Sequence, residues 1–582
     1  MPDVSAKFPP QVLREYSFIA DGERGALIGP RGDIAWMCAP RWHDDAVFST
    51  LIGGGGFYAV TPDVDRAVWG GYYESGSLIW RSHWATGDAG VVESRDALAL
   101  PADEHCALLL RCVTALDRPA PVRAVLDVRA GFGQQSLRDV RRHGSVWTAR
   151  AGDLHVRWSG VDGVRRTALG YTATRTVSPG EYWYLALEIS DRPFDGPPPD
   201  QEAAWEATQN AWREALPDLS STIAPTDACN AFTVLHGLTS ASGGMVAAAT
   251  MSLPERAEQG RNYDYRYVWI RDQCYAGQAA AASGVDRILD SAVRFVTERL
   301  LADGPDLKPA YTVAGTGVPA ERALRGLDGY PGGSDRVGNR VDKQFQLDVF
   351  GESLQLYAAA ARHDRLDKEH WRAVEVAVDA IEKRWREPDN GIWEIDAQQW
   401  THSRLVCVAG LRNVSRQAPA KQAGRWTSLA DKVLAATARE CLHQSGRWQR
   451  SPTDDNVDAA LLLAGLRGAV APDDPRTTAT VDAVREELCR DHYVYRFRQS
   501  AGPLEDAEGA FLLCGFLMAL AEQAAGNLVE AMRYFERNRA ACGPPGLYSE
   551  EYDVRQRQLR GNIPQAFVHA LMLEASARLA ES

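Results

Sequence analysis

Three stretches of this 582-residue chain gather side chains able to do acid–base chemistry on a polar substrate. In Glu387-Pro-Asp-Asn-Gly-Ile-Trp-Glu394, a turn at Pro388 to Gly391 follows helix-forming sequence and delivers Glu394 beside Trp393. A carboxyl against an indole in a partly dry pocket has its charged form disfavoured, which is the condition for a general acid near neutral pH. In Gly546-Leu-Tyr-Ser-Glu-Glu-Tyr-Asp553, the carboxylates Glu550, Glu551 and Asp553 fall within four residues, and one of them staying ionised would activate a water. The third stretch, Asn262-Tyr-Asp-Tyr-Arg-Tyr-Val-Trp-Ile-Arg-Asp272, holds three tyrosines, a tryptophan, two arginines and two aspartates. Aromatic faces pack on the C–H faces of a pyranose, while Asp and Arg hold hydroxyls in a directional fork, so this run suits a sugar pocket. Two carboxylates from separate loops, about 6.5–9.5 Å apart with a water between, are what inverting glycoside hydrolysis requires. The same residues also fit plainer roles: solvated acidic turns, and a structural Arg–Asp pair opening a buried helix.

The elements that would position these stretches change character once along the chain. Between Phe18 and Leu187, short apolar runs such as Leu78-Ile-Trp80 and Tyr182-Trp-Tyr-Leu-Ala-Leu-Glu-Ile189 alternate with Gly, Pro and Asp turns, predicting an antiparallel β-sandwich over residues 1–200. Residues 201–226 form a connecting segment in which Trp205 and Trp212, seven apart, share one helix face. From 227 to 582 helical periodicity dominates, with ten to twelve helices available; twelve in alternating inner and outer pairs close an α/α toroid. The longer connections, 306–338, 387–403, 447–456, 497–508 and 543–561, are then the loops expected to carry function at one end.

Composition narrows the partner. A net charge of −13 without Lys/Arg-dense runs argues against nucleic acid or an anionic membrane and favours a neutral or cationic small substrate. Residues 1–10 show no secretory pattern and no window approaches a membrane span. The ten cysteines are scattered without CxxC pairs, as in reduced thiols of a cytoplasmic protein. No His/Cys/Asp cluster has metal spacing, and Gly53 to Gly56 lacks the Lys-Ser/Thr of a phosphate loop, so neither metal nor cofactor is expected and the glycines read as a turn. His402 and His569 read as hydrogen-bonded structural histidines with contact to a ligand as the alternative.

Several blocks in the same order resemble glycoside hydrolase family 15, the family of glucoamylases, glucodextranases and actinobacterial trehalases. They are Tyr263 to Asp272, Gly391-Ile-Trp-Glu394, Tyr548 to Asp553 and Gly561-Asn-Ile-Pro-Gln-Ala-Phe567, joined by Asp454 to Leu463 and by Gly32 to Arg41, which is similar to a trehalase-like N-terminal block. The resemblance implies an N-terminal β-sandwich followed by an (α/α)6 barrel that removes glucose from a nonreducing α-linked end with inversion. Glu394 matches the family's general acid and Glu550 its general base; Tyr265 matches the tyrosine beside the base. Arg271 and Asp272 match the pair that grips the terminal glucose, with Trp269 and Trp393 as pocket walls and Arg496, or else Arg498, as a sugar-binding arginine.

Departures from the family pattern concern the substrate. Ala35 stands where relatives often carry Asp, Asp396 where they carry a basic residue, and the loop Asp335 to Gln344 adds Arg340, Asp342 and Lys343. Gln346 to Glu352 is more similar to the glucoamylase branch, so glucoamylase-like release of β-glucose from α-gluco-oligosaccharides is the leading expectation, with trehalose hydrolysis as the alternative. A phosphorylase would replace the base by a phosphate site. A noncatalytic sugar-sensing module of the same fold would bind without turnover, and both carboxylates are present here. Oligomeric state is open.

Overall fold

The computed structural model describes residues 8–87, 90–256, 260–499 and 502–581; residues 1–7, read above for a leader, lie outside the described residues. Two antiparallel sheets, each of eight strands among the described residues, form the first part. One is ordered Ser17–Ala20, Gly25–Ile28, Asp33–Cys38, Phe57–Pro62, Ala120–Asp127, Gly170–Val177, Arg165–Thr167, with Ala46–Phe48 beside Asp33–Cys38. The other runs Gln135–His143, Val146–Ala151, Leu154–Ser159, Trp183–Ser190, Cys106–Ala115, Val91–Leu98, Trp80–Ala85, Val68–Tyr73. In Trp80–Ala85 the period of two is plain: Trp80, Ser82 and Trp84 are buried while Arg81, His83 and Ala85 face outward. Trp80, Trp84 and Trp158 meet aliphatic side chains of both sheets in a shared core.

Helix α1 (Gln201–Ala215) is capped by Asp200, whose side chain accepts from the Ala203 amide, and it buries Trp205 and Trp212 as the seven-residue spacing predicts. The barrel helices that follow are α2 (Pro225–Leu238), α3 (Ile270–Ala282), α4 (Asp286–Asp303), α5 (Asp348–Arg362), α6 (Lys368–Arg384), α7 (Thr401–Ser415), α8 (Ala420–Glu440), α9 (Leu463–Leu466, continuing a 3-10 turn), α10 (Pro475–Leu488), α11 (Leu512–Ala524), α12 (Leu528–Arg539) and α13 (Ala566–Arg578), with one further helical turn, Leu504–Ala507, in a connection. Helices α3, α5, α7, α9, α11 and α13 pack each against the next and α13 returns to α3, closing an inner ring of six. The remaining six lie outside it, giving an (α/α)6 barrel among the described residues.

Sequence explains which helix goes where. Outer α8 buries Trp426, Leu429, Ala430, Val433, Ala436 and Thr437, a single stripe at helical spacing. Inner α5 is buried from Asp348 through Ala360 on every face. Where α5 and α7 cross, a Cβ on Gly351 would stand 2.7 Å from the Cys407 amide and one on Gly410 would stand 2.5 Å from the Gly351 carbonyl, so only glycine lets the two backbones approach. Connections from inner to outer helices are short, whereas those from outer to inner are long: 239–269, 304–347, 385–400, 441–462, 489–511 and 540–565. The long loops therefore collect at the N-terminal ends of the inner helices, where unpaired amides and aligned peptide dipoles favour negative charge.

Candidate active site

At that end of the barrel lies a cavity of about 860 Å³. Its lining includes the eight residues that the family resemblance puts in the site, Tyr265, Trp269, Arg271, Asp272, Trp393, Glu394, Arg496 and Glu550, and Arg498 as well, while Glu551 and Asp553 lie outside it. His402 and His569 are buried outside that lining, His569 with Nδ1 against the Gln565 carbonyl at 2.8 Å.

The run 262–272 is extended before α3 begins, and alternation divides its labour. Tyr263, Tyr265 and Trp269 face the cavity; the rings of Tyr263 and Tyr265 are stacked at 6.2 Å, and Tyr265 meets Trp269 edge-on at 5.5 Å. Asp264 and Arg266 face away, both fully buried, and pair with each other at 2.7 Å. Arg266 Nη1 also donates to the Asp44 carbonyl at 2.7 Å and to the Trp42 carbonyl at 3.2 Å, both in the sandwich. Asp264 in turn accepts from the Gly338 amide at 3.0 Å, and its carbonyl accepts from Asn339 Nδ2 at 3.3 Å, which anchors the 335–344 loop. Half of the run holds the scaffold while the other half lines the site.

The first carboxylate corner is built on Glu394. Its backbone has φ 56°, the left-handed region, which costs a non-glycine residue about 1–2 kcal/mol and is held here by the Glu394 amide bonding to the Gly391 carbonyl at 3.2 Å. Asn390 Nδ2, donating to the Ile395 carbonyl at 2.7 Å, closes the same turn. The expectation that Trp393 supplies an apolar wall beside Glu394 is corrected by the structure. Trp393 points its Nε1 to the buried Asp458 at 2.9 Å and packs edge-on against Phe511 at 5.2 Å. The indole that reaches Glu394 is Trp269, whose Nε1 donates to the carboxylate at 2.6 Å, and Arg271 Nη2 stands 3.3 Å from the same oxygen. The Glu394 side chain retains 25% of its exposure.

Arg271 and Asp272 begin α3 at the mouth of the inner ring. Arg271 Nη1 donates to Asp348 at 3.0 Å and to Gln346 at 2.9 Å, so its guanidinium spans the start of α5 and the Glu394 loop. Asp272 also lines the cavity; burial pushes its carboxyl up to about 7, with Arg271 working against that rise.

The second corner is a knot of acids. Tyr265 O–H donates to Glu550, standing 3.1 and 3.3 Å from its two oxygens, and lies 3.5 Å from Glu255. Burial and then the neighbouring Glu255 push Glu550 well above the usual carboxylate range. Glu551 is fully buried and accepts the Gly509 amide at 2.9 Å. Arg496 is tied to Glu508 at 2.7 Å and stands 3.4 Å from Glu551, with Phe511 4.7 Å from its guanidinium. Arg498, the other arginine considered, donates to the Gly502 carbonyl at 3.0 Å.

On the far rim, Arg340, Lys343 and Gln344 of the 335–344 loop line the cavity, while Asp342 does not. Arg336 and Arg340 both pair with Glu321, at 2.6 and 3.3 Å. Sequence reasoning missed Glu255, Asp348, Asp458 and Glu508. The signal for Glu255 was local: a carboxylate directly after Pro254, a few residues ahead of the aromatic run. Asp348 and Asp458 lie inside two of the blocks compared with the family, Gln346 to Glu352 and Asp454 to Leu463, but their partners, like those of Glu508, are brought near only by closure of the helical ring.

An acid-lined, aromatic-walled cavity at one end of an (α/α)6 barrel behind a β-sandwich defines a carbohydrate-cleaving enzyme. Residues 228–577 match the glycosyl hydrolases family 15 and residues 8–183 match the trehalase-like N-terminal family, so the chain belongs to glycosyl hydrolase family 15. It is 31% identical to the trehalase of Mycobacterium tuberculosis over 98% of this chain and 89% of that protein. The trehalase of Thermoplasma volcanium is 24% identical, covering 100% of this chain and 95% of its own length. Among solved structures, a bacterial glucoamylase complexed with acarbose shares the fold across 98% of this chain and 94% of its own, with a TM-score of 0.72 at 15% identity. No helix among the described residues is long and apolar enough to cross a membrane.

Proposed function

We propose that this glycosidase hydrolyses α,α-trehalose with inversion. The observation that carries the chemistry is the pairing of Glu394 and Glu550 on the tips of two touching rings, Trp269 and Tyr265, in one cavity. The similarity to trehalases through both halves of the chain supports trehalose over longer glucans as the substrate. This reverses the order of preference drawn from the 346–352 segment.

Glu550 takes a proton from water as the water attacks the anomeric carbon. Glu394 gives its proton to the departing glycosidic oxygen on the opposite face, in a single displacement. Trp269 N–H and Arg271 then stabilise the Glu394 carboxylate that proton donation leaves behind. Arg271 and Asp272 grip hydroxyls of the terminal glucose, converting binding into orientation. Trp393 and Arg496 shape the wall between the corners, Arg496 through its fixed pairing to Glu508. The division at 1–200, 201–226 and 227–582 makes the sandwich a scaffold and the barrel the catalytic unit.

A second reading, glucoamylase-like release of β-glucose from α-gluco-oligosaccharides, is favoured by the size of the cavity, which lies toward the upper end of the ~300–1,000 Å³ typical of ligand sites. Time-resolved NMR in ¹⁸O-water with trehalose, maltose and isomaltose tests both. Trehalose cleavage by inversion releases one β-glucose carrying the label and one unlabelled α-glucose. Turnover of maltose with trehalose untouched would establish the second reading, and binding without turnover of any of them would overturn both.

A further inference from the structure

Glu255 belongs to neither role assigned above, yet it lines the cavity at the base. It is buried, and its carboxyl is within hydrogen-bonding reach of Glu550. Both side chains flank Gly561: a Cβ there would lie 3.5 Å from Glu255 Cγ and 3.8 Å from Glu550 Cβ. The Gly561 amide donates to the Pro254 carbonyl at 3.0 Å, and the Leu512 amide to the Glu550 carbonyl at 3.1 Å, so backbone bonds fix both residues in place. Tyr265 has one O–H proton and three carboxylate oxygens within 3.5 Å of it, two from Glu550 and one from Glu255. That proton cannot satisfy both acids.

The surroundings do not cancel the charge. The groups facing the pair are Arg261, Tyr263 and Tyr265 from the 261–272 run, Arg496 and Glu508 from the 489–511 connection, and Glu551 next in sequence. Two guanidiniums thus meet four carboxyls, and Arg496 is committed to Glu508 at 2.7 Å while Arg261 stands 3.6 Å from it. Two adjacent buried carboxyls with a shared donor cannot both ionise cheaply; like-charge pairs of this kind retain a proton between them. Burial raises both Glu255 and Glu550, and their mutual contact raises Glu550 further while lowering Glu255, so the pair keeps a proton and only the Tyr265 O–H works to move it onto Glu255.

We propose that Glu255 and Glu550 share one proton across a carboxyl–carboxylate hydrogen bond, and that Glu255, by taking that proton, leaves Glu550 as the carboxylate that faces the water. Tyr265 biases the pair this way, because its O–H donates to Glu550 and favours charge there. Glu255 is a positioning residue: it touches no substrate atom and acts through the base. This inference rests on the assignment of Glu550 as base.

The test uses α-D-glucosyl fluoride, whose leaving group makes little demand on the acid and which reports the base whatever the natural linkage. The acidic limb of the kcat/KM–pH profile is measured for the wild type, Glu255→Gln and Glu255→Ala. A Gln amide still donates to ionised Glu550, so its acidic limb stays at or below the wild-type position. Ala removes the donor from a buried carboxylate, so that limb moves up by about one pH unit relative to Glu255→Gln. If instead Glu255 were an anion repelling charge on Glu550, both substitutions would lower the limb alike, and the proposal would fail. Should Glu255→Ala not fold, infrared spectra near neutral pH decide: the protonated-carboxyl band of the pair is lost in Glu255→Gln if the proton is shared, and a band that persists unchanged overturns the idea. A wild type inert toward the fluoride would remove the catalytic assignment itself, and this inference with it.

Discussion

The two carboxylates of the cavity live under opposite rules. Glu394 sits on a strained turn, a quarter exposed, with an indole N–H and a guanidinium as neighbours. Glu550 is buried among Glu255, Glu551 and Glu508, with one phenol as its nearest donor. The first corner is prepared to carry negative charge, as an acid must after it has given up its proton. The second resists negative charge until a neighbour holds the proton. In one barrel, the same residue type is set to two tasks by what the loops bring beside it.

The largest effect expected is at the buried corner. Glu550→Gln should lower kcat on trehalose and on α-glucosyl fluoride alike by about 10³-fold or more, since it removes the carboxylate that takes the proton from the attacking water. Equal activity on the fluoride would break the contrast between the corners. Glu394→Gln should cost about 10²–10³-fold on trehalose and much less on the fluoride, a split read directly by steady-state kinetics on the two substrates. Arg271→Met leaves Asp348, wholly buried, without its partner at 3.0 Å; a loss of about 3–5 kcal/mol in denaturant-measured stability is expected alongside lost activity. Trp269→Phe keeps an aromatic face and deletes the 2.6 Å bond to Glu394, so kcat should fall about tenfold, with a smaller fall in melting temperature from the space the buried indole leaves.

The smallest effect concerns pH and stability. Asp272, pushed up to about 7, and Asp389, pushed up to about 8, both by burial, keep protons in the folded chain that an unfolded chain releases near pH 4. Folding therefore loses stability as pH climbs from about 4 through 7 or 8, and the contribution is fully present only below the unfolded value. Asp272→Asn should flatten that decline by several degrees of melting temperature between pH 5 and 8. A steeper decline in the variant would contradict the buried, proton-holding state.

Much of this was readable before the fold was known. Short apolar runs between Gly, Pro and Asp turns announced the sandwich, seven-residue spacing placed Trp205 and Trp212 on one face of α1, and the connections 387–403 and 543–561 did bring Glu394 and Glu550 to the cavity. What stayed hidden was direction. Trp393 precedes Glu394 in sequence, but a positive φ at Glu394 separates their side chains, and the indole at the acid comes instead from the 262–272 run. Glu255 meets Glu550 across Gly561, whose amide bonds to the Pro254 carbonyl far away in sequence. Adjacency along a chain says little about a turn that has left the usual backbone regions.

Arg266 gives the sandwich a stake in catalysis that its own surface does not advertise. The residue lies between Tyr265 and Tyr267, and its guanidinium ends on carbonyls of Trp42 and Asp44. A chimera that kept this barrel but borrowed another sandwich would inherit Tyr265 and Trp269 on a strand whose outer anchor had been exchanged. The two halves are thus a matched set, and natural or engineered recombination between them has its natural limit at that seam.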